Sequence, residues 1–271
     1  MFARYSLVAS LAGAFGALAA GLPGWVADRT ALSDLDAERG VFFVYALAGV
    51  VLLVAYRRLA PRPPVDVAAV HWSGLDRSRG IVLRLSALFS VDAFGGGFAV
   101  QSILVLWLSL RFGLSTAQSG AVFFWSGLLT ASSALLAPRI AARVGLVRTM
   151  VFTHVPASLL LISAALMPTA GLAVACLLAR SLLSQMDVPA RSSYVMAVVD
   201  PEERTAAAAI TNVPRSLASA VPPLLAGWLL QHSTFGWPLI IAGVLKITYD
   251  LTLLALFHDV RPPEERARAE A

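Results

Sequence analysis

Four ionisable residues sit deep inside stretches that are otherwise apolar: Asp92, Arg180, Arg215 and Lys246. A charge at the centre of a membrane helix costs about 2.5–3.5 kcal/mol on insertion scales, and such residues face a bundle interior or a watery cavity rather than lipid. A carboxylate placed there can carry a proton or hold a cation. A guanidinium or ammonium can hold an anion or a counter-charge. At about 1.5 Å per helical residue, Asp92 lies roughly 13 Å from the nearest end of its apolar run, Arg180 and Arg215 roughly 15 Å, and Lys246 roughly 16 Å. Opposite charges at one level can neutralise one another, which lowers the cost of burying any of them.

Their neighbours refine the reading. Asp92 precedes Gly95-Gly96-Gly97 and Gln101. Glycines in mid-helix weaken it by about 1 kcal/mol each relative to alanine, and they let a second backbone or a ligand approach closely. Asp92 is therefore read two ways, as a proton carrier or cation partner lining a cavity, or as a structural counterion to Arg180 or Arg215. Lys246 is the only lysine among 21 basic residues. It stands four residues before Asp250, so the two share a helix face and are expected to form a local pair. Asn212 and Pro214 flank Arg215, and Pro214 frees a backbone carbonyl there. Gln185, Asp187 and Arg191, together with Arg143 and Arg148, read as a charged latch at the cytoplasmic ends of their helices. His154, the only histidine inside an apolar run, reads as a packing residue.

No enzymatic motif accompanies these charges. The chain has no HExxH, GxSxG, P-loop lysine motif or GxGxxG after a strand, so it is not read as an enzyme, and neither cofactor nor metal is expected. Cys176 is the sole cysteine, which excludes an intrachain disulfide and a cysteine zinc site.

The elements that must position these residues are helices in lipid. Hydrophobic residues make up 58% of the 271-residue chain and charged residues only 14%, against about 25% in soluble domains. Mean hydropathy is +0.75. The apolar runs are about 20 residues long and do not alternate, which selects helices over a barrel. The fold class is all-α, a polytopic membrane protein with about eight transmembrane helices, near 5–27, 41–57, 83–109, 117–138, 147–167, 170–190, 205–230 and 236–257. Arg4 and Ala17-Leu18-Ala19 also resemble a secretory signal peptide, but the apolar run continues to Val26. With both termini in the cytoplasm of an inner or plasma membrane, fifteen arginines fall inside and only Arg29, Arg39 and Arg111 outside, as the positive-inside rule requires. That bias explains the net charge of +5 without nucleic acid. Residues 58–82, with prolines at 61, 63 and 64, form the longest polar connection and contain His71 and Trp72. Residues 261–271 form a solvated tail.

The connection between the fourth and fifth spans reads Pro138-Arg139-Ile140-Ala141-Ala142-Arg143-Val144-Gly145-Leu146-Val147-Arg148. It resembles the degenerate second copy of the major facilitator superfamily loop signature, roughly G-x-L-A-D-R-x-G-R-R. Ala141, Arg143, Gly145 and Arg148 match, whereas Pro138 and Ala142 replace the leading glycine and the aspartate. The turn MDVPARSSYVMAVVDPEER after the sixth span is similar to the corresponding segment of many bacterial permeases in that superfamily. Gly16 to Pro23 loosely resembles a glycine-proline pattern of its efflux members.

The resemblance implies a register and a partial major facilitator fold. Residues 1–57 would be the last two helices of the N-terminal half, 58–82 the central cytoplasmic loop, 83–260 the complete six-helix C-terminal half, and 261–271 the tail. Asp92, Gln101, Arg180 and Gln185 would then line a central cavity, with Arg215 beside it. The implied function is secondary transport of a small solute, proton-coupled through Asp92, with Arg180 and Arg215 as anion or counter-charge partners and export favoured over uptake. Four helices of the twelve are missing from this register. Either Met1 is not the native start, or a separate chain supplies them, or the chain is a non-transporting membrane interaction module, a remnant or a partner subunit.

Overall fold

The computed structural model describes residues 2–59, 75, 77–184 and 186–257. Gln185, the tail at 261–271 and most of the 58–82 connection, His71 and Trp72 included, lie outside the described residues, as do the side chains of Pro138, Ala141, Ala142 and Asp187. The regular elements are helical throughout the described residues: α1 (Phe2–Ala19), α2 (Leu22–Ala27), α3 (Asp34–Arg57), α4 (Arg79–Gly97), α5 (Gln101–Phe112), α6 (Thr116–Val144), α7 (Leu146–Leu166), α8 (Ala170–Ser181), α9 (Asp187–Val198), α10 (Arg204–Ala220), α11 (Pro222–His232) and α12 (Trp237–Phe257), with a single 3-10 turn at Pro201–Glu203. This is an all-helical polytopic membrane protein.

Among the described residues, six helical stretches are long and apolar enough to cross a bilayer: Val8–Ala27, Asp34–Arg57, Arg79–Phe112, Thr116–Ala137, Val147–Leu166 and Trp237–Phe257. The two other expected spans are interrupted. The sixth divides into α8, which ends at Ser181, and α9, which begins at Asp187. The seventh divides into α10 and α11 at Val221, where Pro222 and Pro223 follow in succession without backbone donors. A further break, at 98–100, separates α4 from α5 directly after the three glycines.

Small residues set the helix spacing. α1 packs along α6, and a Cβ on Gly127 would lie 2.6 Å from Cβ of Ala14. A Cβ on Gly120 would collide with the Ala17 carbonyl oxygen. Close backbone approach through glycine and alanine is how helices associate where the hydrophobic effect between them is weak. α3 packs on α2 and leaves Phe42, Phe43 and Tyr45 exposed, as suits side chains whose solvent is hydrocarbon.

The core has two apolar layers. One contains Phe98, Trp107, Leu108, Leu161, Leu177, Leu230 and Leu239. The other contains Val82, Leu85, Phe89, Met150, Tyr194, Tyr249 and Leu253. On α4 the residue between them is Asp92, on α7 it is His154, and on α12 it is Lys246 with Asp250 one turn on. A polar stratum therefore separates the two apolar ones.

Candidate functional site

Five side chains in that stratum form one continuous hydrogen-bonded line. Arg191 Nη1 donates to Asp92 Oδ2 at 3.0 Å. Lys246 Nζ donates to the other oxygen, Oδ1, at 2.7 Å. Lys246 Nζ also lies 3.3 Å from His154 Nε2, and His154 Nδ1 is 3.0 Å from both oxygens of Asp250. The assignment that satisfies every atom puts the imidazole hydrogen on Nδ1, donated to Asp250, and leaves Nε2 to accept from Lys246. All five residues are buried, Asp250 completely. The line crosses α9, α4, α12 and α7, so each helix contributes a group that another must neutralise or satisfy. Breaking one member leaves a charge or dipole without compensation in a low-dielectric interior.

The packing that makes these bonds reachable is local. A Cβ on Gly95 would lie 3.1 Å from Leu245 Cβ, so this glycine lets α4 and α12 close on each other. A Cβ on Gly97 would lie 2.9 Å from the Ser219 carbonyl oxygen and 3.0 Å from Pro222, so this glycine does the same for α4 and the α10–α11 break. Gly96 is different: a Cβ there would meet only the Lys246 side chain, at 3.7 Å. The Ser86 hydroxyl donates to the Ile210 carbonyl at 2.6 Å and ties α4 to α10. The Arg191 guanidinium also stands over the Phe89 ring, 5.4 Å from its centroid.

Two cavities adjoin this line. One, of about 230 Å³, is lined by Asp92, Ala93, Gly96, Gly97, Val100, Arg215, Ser216, Ser219 and Lys246. The other, of about 80 Å³, is lined by Phe89, Arg191, Val195, Met196, Ala208, Thr211, Asn212 and Arg215. Arg215 borders both.

The sequence is similar to two curated proteins at low identity. It is 26% identical, over 95% of its length, to an uncharacterized membrane protein of Saccharomyces cerevisiae. It is 25% identical, over 80% of its length, to the multidrug efflux protein YfmO of Bacillus subtilis. The alignments span 65% and 54% of those relatives, so the chain corresponds to only part of each. No family model matches the chain.

Of the residues expected at a cavity, Asp92 and Arg215 border one, where Lys246 joins them, and Asn212 borders the adjoining one. Two expected members are elsewhere. Gln101 opens α5 with an exposed side chain and lines neither cavity. Arg180 is half-buried on α8, beside the Ser126–Ser181 hydroxyl contact of 2.6 Å that joins α6 to α8, and makes no hydrogen bond or ion pair among the described residues.

The pairing expected within α12 is also corrected. Lys246 and Asp250 do not bond to each other; each reaches to another helix, Lys246 to Asp92 and Asp250 to His154. Burial decides this: Asp92, brought against Lys246 by α4, must find a cation there, and the fully buried Asp250 must find a donor, which His154 on α7 supplies. The latch is corrected at one member. Arg143 and Arg148 are exposed, whereas Arg191 turns inward to Asp92 because the α8–α9 break lets α9 present Arg191, Tyr194 and Val195 as one buried face. The i, i+3, i+4 spacing of those three residues is the signal that would have found it. His154 joins the line rather than merely packing, and the signal in that case was an ionisable imidazole in an apolar run.

Proposed function

We propose that this chain is part of a secondary transporter of the major facilitator type that moves a small solute across a cell membrane, by proton-coupled export. The observation that carries this reading is the buried line Arg191–Asp92–Lys246–His154–Asp250, which joins four helices at the level between two apolar layers and opens onto a cavity. Similarity to a multidrug efflux protein supports it, as does the loop at 138–148.

Asp92 is the coupling residue in this reading. Its two oxygens hold Lys246 and Arg191, and with them α12 and α9, against α4. A proton on Asp92 weakens both bonds at once, so the protonated and ionised forms favour different helix arrangements. Differential stabilisation of two arrangements is what a coupling ion must supply, and alternating access in such transporters rocks one bundle against another around a midplane site. The broken helices α10–α11 and α4–α5 border the cavity and supply bending points. Both termini are placed on the cytoplasmic side, from the arginine bias.

The test is export of a panel of dyes and small solutes from reconstituted vesicles under an imposed proton gradient. Gradient-driven movement is expected for at least one solute and is lost in Asp92→Asn. Movement that is indifferent to Asp92→Asn removes the coupling mechanism. No movement of any solute, by a chain that remains folded, favours a membrane module that only holds other helices.

A further inference from the structure

A third hollow lies away from the charged line, on the outer side of α7 and α12. It is a groove of about 640 Å³ lined by Val144, Arg148, Phe152, Leu251, Leu254 and Ala255. Its walls come from the end of α6, the first two turns of α7 and the last two turns of α12. Phe152 and Leu251 are 62% and 55% exposed, so no described part of the protein covers the apolar walls. Arg148 is the single charge among the lining residues. It is exposed and makes no hydrogen bond or ion pair among the described residues.

The two ends of the groove differ in chemistry. Arg148 stands in the first turn of α7, and the apolar span on that helix begins at Val147, so its guanidinium reaches the level of the lipid headgroups. Phe152 lies one turn deeper, about 6 Å further in. α12 runs the opposite way, since Val147 and Met150 share a layer with Leu253 and Phe257 while His154 meets Asp250. Leu251 is therefore the deep end on that helix and Ala255 the shallow end.

We propose that this groove holds an anionic phospholipid, its phosphate on Arg148 and one acyl chain along Phe152, Leu251 and Ala255. A cation at headgroup level, with an apolar channel leading from it into hydrocarbon, matches an amphiphile with a negative head. Arginine offers a phosphate two parallel donors, and basic pockets between helices at a membrane surface take anionic headgroups. A zwitterionic lipid brings a cation too, and no carboxylate lines the groove among the described residues to receive it. A free phosphate would leave the apolar walls unused. By the arginine bias this end of α7 faces the cytoplasm, the side where anionic lipids attract basic residues.

The experiment labels the full chain in phosphatidylcholine vesicles with phosphatidylglycerol that carries a diazirine in one acyl chain, and maps the attachment sites by peptide. Labelling is expected to concentrate on residues 144–152 and 251–255. Plain phosphatidylglycerol is expected to compete, and diazirine-bearing phosphatidylcholine to label the same peptides weakly. Losing one basic contact at a membrane surface corresponds to about fivefold in affinity. That loss is expected in Arg148→Gln, with Arg148→Lys restoring part of it. Ala255→Trp, at an exposed position, fills the groove with Arg148 still present and lowers labelling as well. Arg57→Gln, exposed at the end of α3, leaves labelling unchanged. Equal labelling by the two lipids, labelling spread evenly over the apolar helices, or labelling indifferent to both Arg148→Gln and Ala255→Trp overturns the proposal. So does no labelling of the groove, which means that protein fills it. Efficient disulfide formation between chains carrying Phe152→Cys and Cys176→Ser seats a second copy there and likewise overturns it. No step of the readout involves solute movement, so the lipid site and the transport reading stand or fall separately.

Discussion

Lys246 Nζ and Asp92 Oδ1 stand 2.7 Å apart although the two residues are 154 positions apart in the chain, and Lys246 Nζ is also 3.3 Å from His154 Nε2. One ammonium therefore links the Arg191–Asp92 pair on one side to the His154–Asp250 pair on the other. Removing His154 alone leaves the buried Asp250 without its donor, whereas removing His154 and Asp250 together does not.

His154→Ala and Asp250→Leu separate these two cases. Asp250 accepts only from His154 among the described residues, so His154→Ala strands a fully buried carboxylate and is expected to cost about 3–5 kcal/mol. The double variant His154→Phe with Asp250→Leu replaces the pair by apolar bulk and is expected to be markedly more stable than His154→Ala. Thermal unfolding in detergent measures both, and a double variant no better than the single one contradicts the pairing.

The glycines after Asp92 are predicted to differ from one another. Gly97→Ala puts a methyl 2.9 Å from a backbone oxygen, and overpacking of this kind costs about 1–3 kcal/mol. Gly96→Ala meets nothing nearer than 3.7 Å and gains helix propensity of about 1 kcal/mol at most. Melting temperatures in the order Gly97→Ala below wild type, and Gly96→Ala at or above it, are the expected result.

Glu203 is predicted to fasten the start of α4. Its carboxylate accepts from the backbone N–H of Arg77 at 3.1 Å and of Ser78 at 3.0 Å, and is itself buried. A carboxylate at a helix N-terminus both satisfies orphan donors and complements the helix dipole. Glu203→Ala is expected to cost about 1.5–3 kcal/mol and to speed amide hydrogen exchange in the first turn of α4. Unchanged exchange at residues 78–82 contradicts this assignment.

Arg180 and Arg215 are predicted to behave oppositely, though both are arginines in mid-run. Arg180 has no described partner and lines neither cavity, so Arg180→Leu is expected to leave solute export intact and thermal stability equal or higher, since an apolar residue is less costly than a cation in that setting. Arg215→Leu is expected to abolish export. The two variants are compared in the vesicle assay, and loss of export in Arg180→Leu would return Arg180 to the site.

The glycine run illustrates what local reading can and cannot reach. That Gly95, Gly96 and Gly97 permit close approach follows from their lacking a Cβ. Which of them meets a backbone and which meets only the Lys246 side chain depends on where α10 and α12 lie, and no local pattern encodes that. Arg191 is a similar case: its distance from the end of an assumed straight span suggested a cytoplasmic position, but the break between α8 and α9 turned it inward.

The sequence by itself determined that the chain is helical and lives in a membrane, because long non-alternating apolar runs have no other stable form in lipid. It also determined that Asp92, Lys246 and Arg215 needed protein or water around them, because hydrocarbon cannot solvate a charge. Only the tertiary structure decided which charge meets which: Asp92 with Lys246 and Arg191, Asp250 with His154, and Arg180 with none among the described residues. Helical periodicity fixes neighbours within one helix at three and four residues, whereas partners on different helices are fixed by how the small residues let those helices approach and where the breaks redirect them.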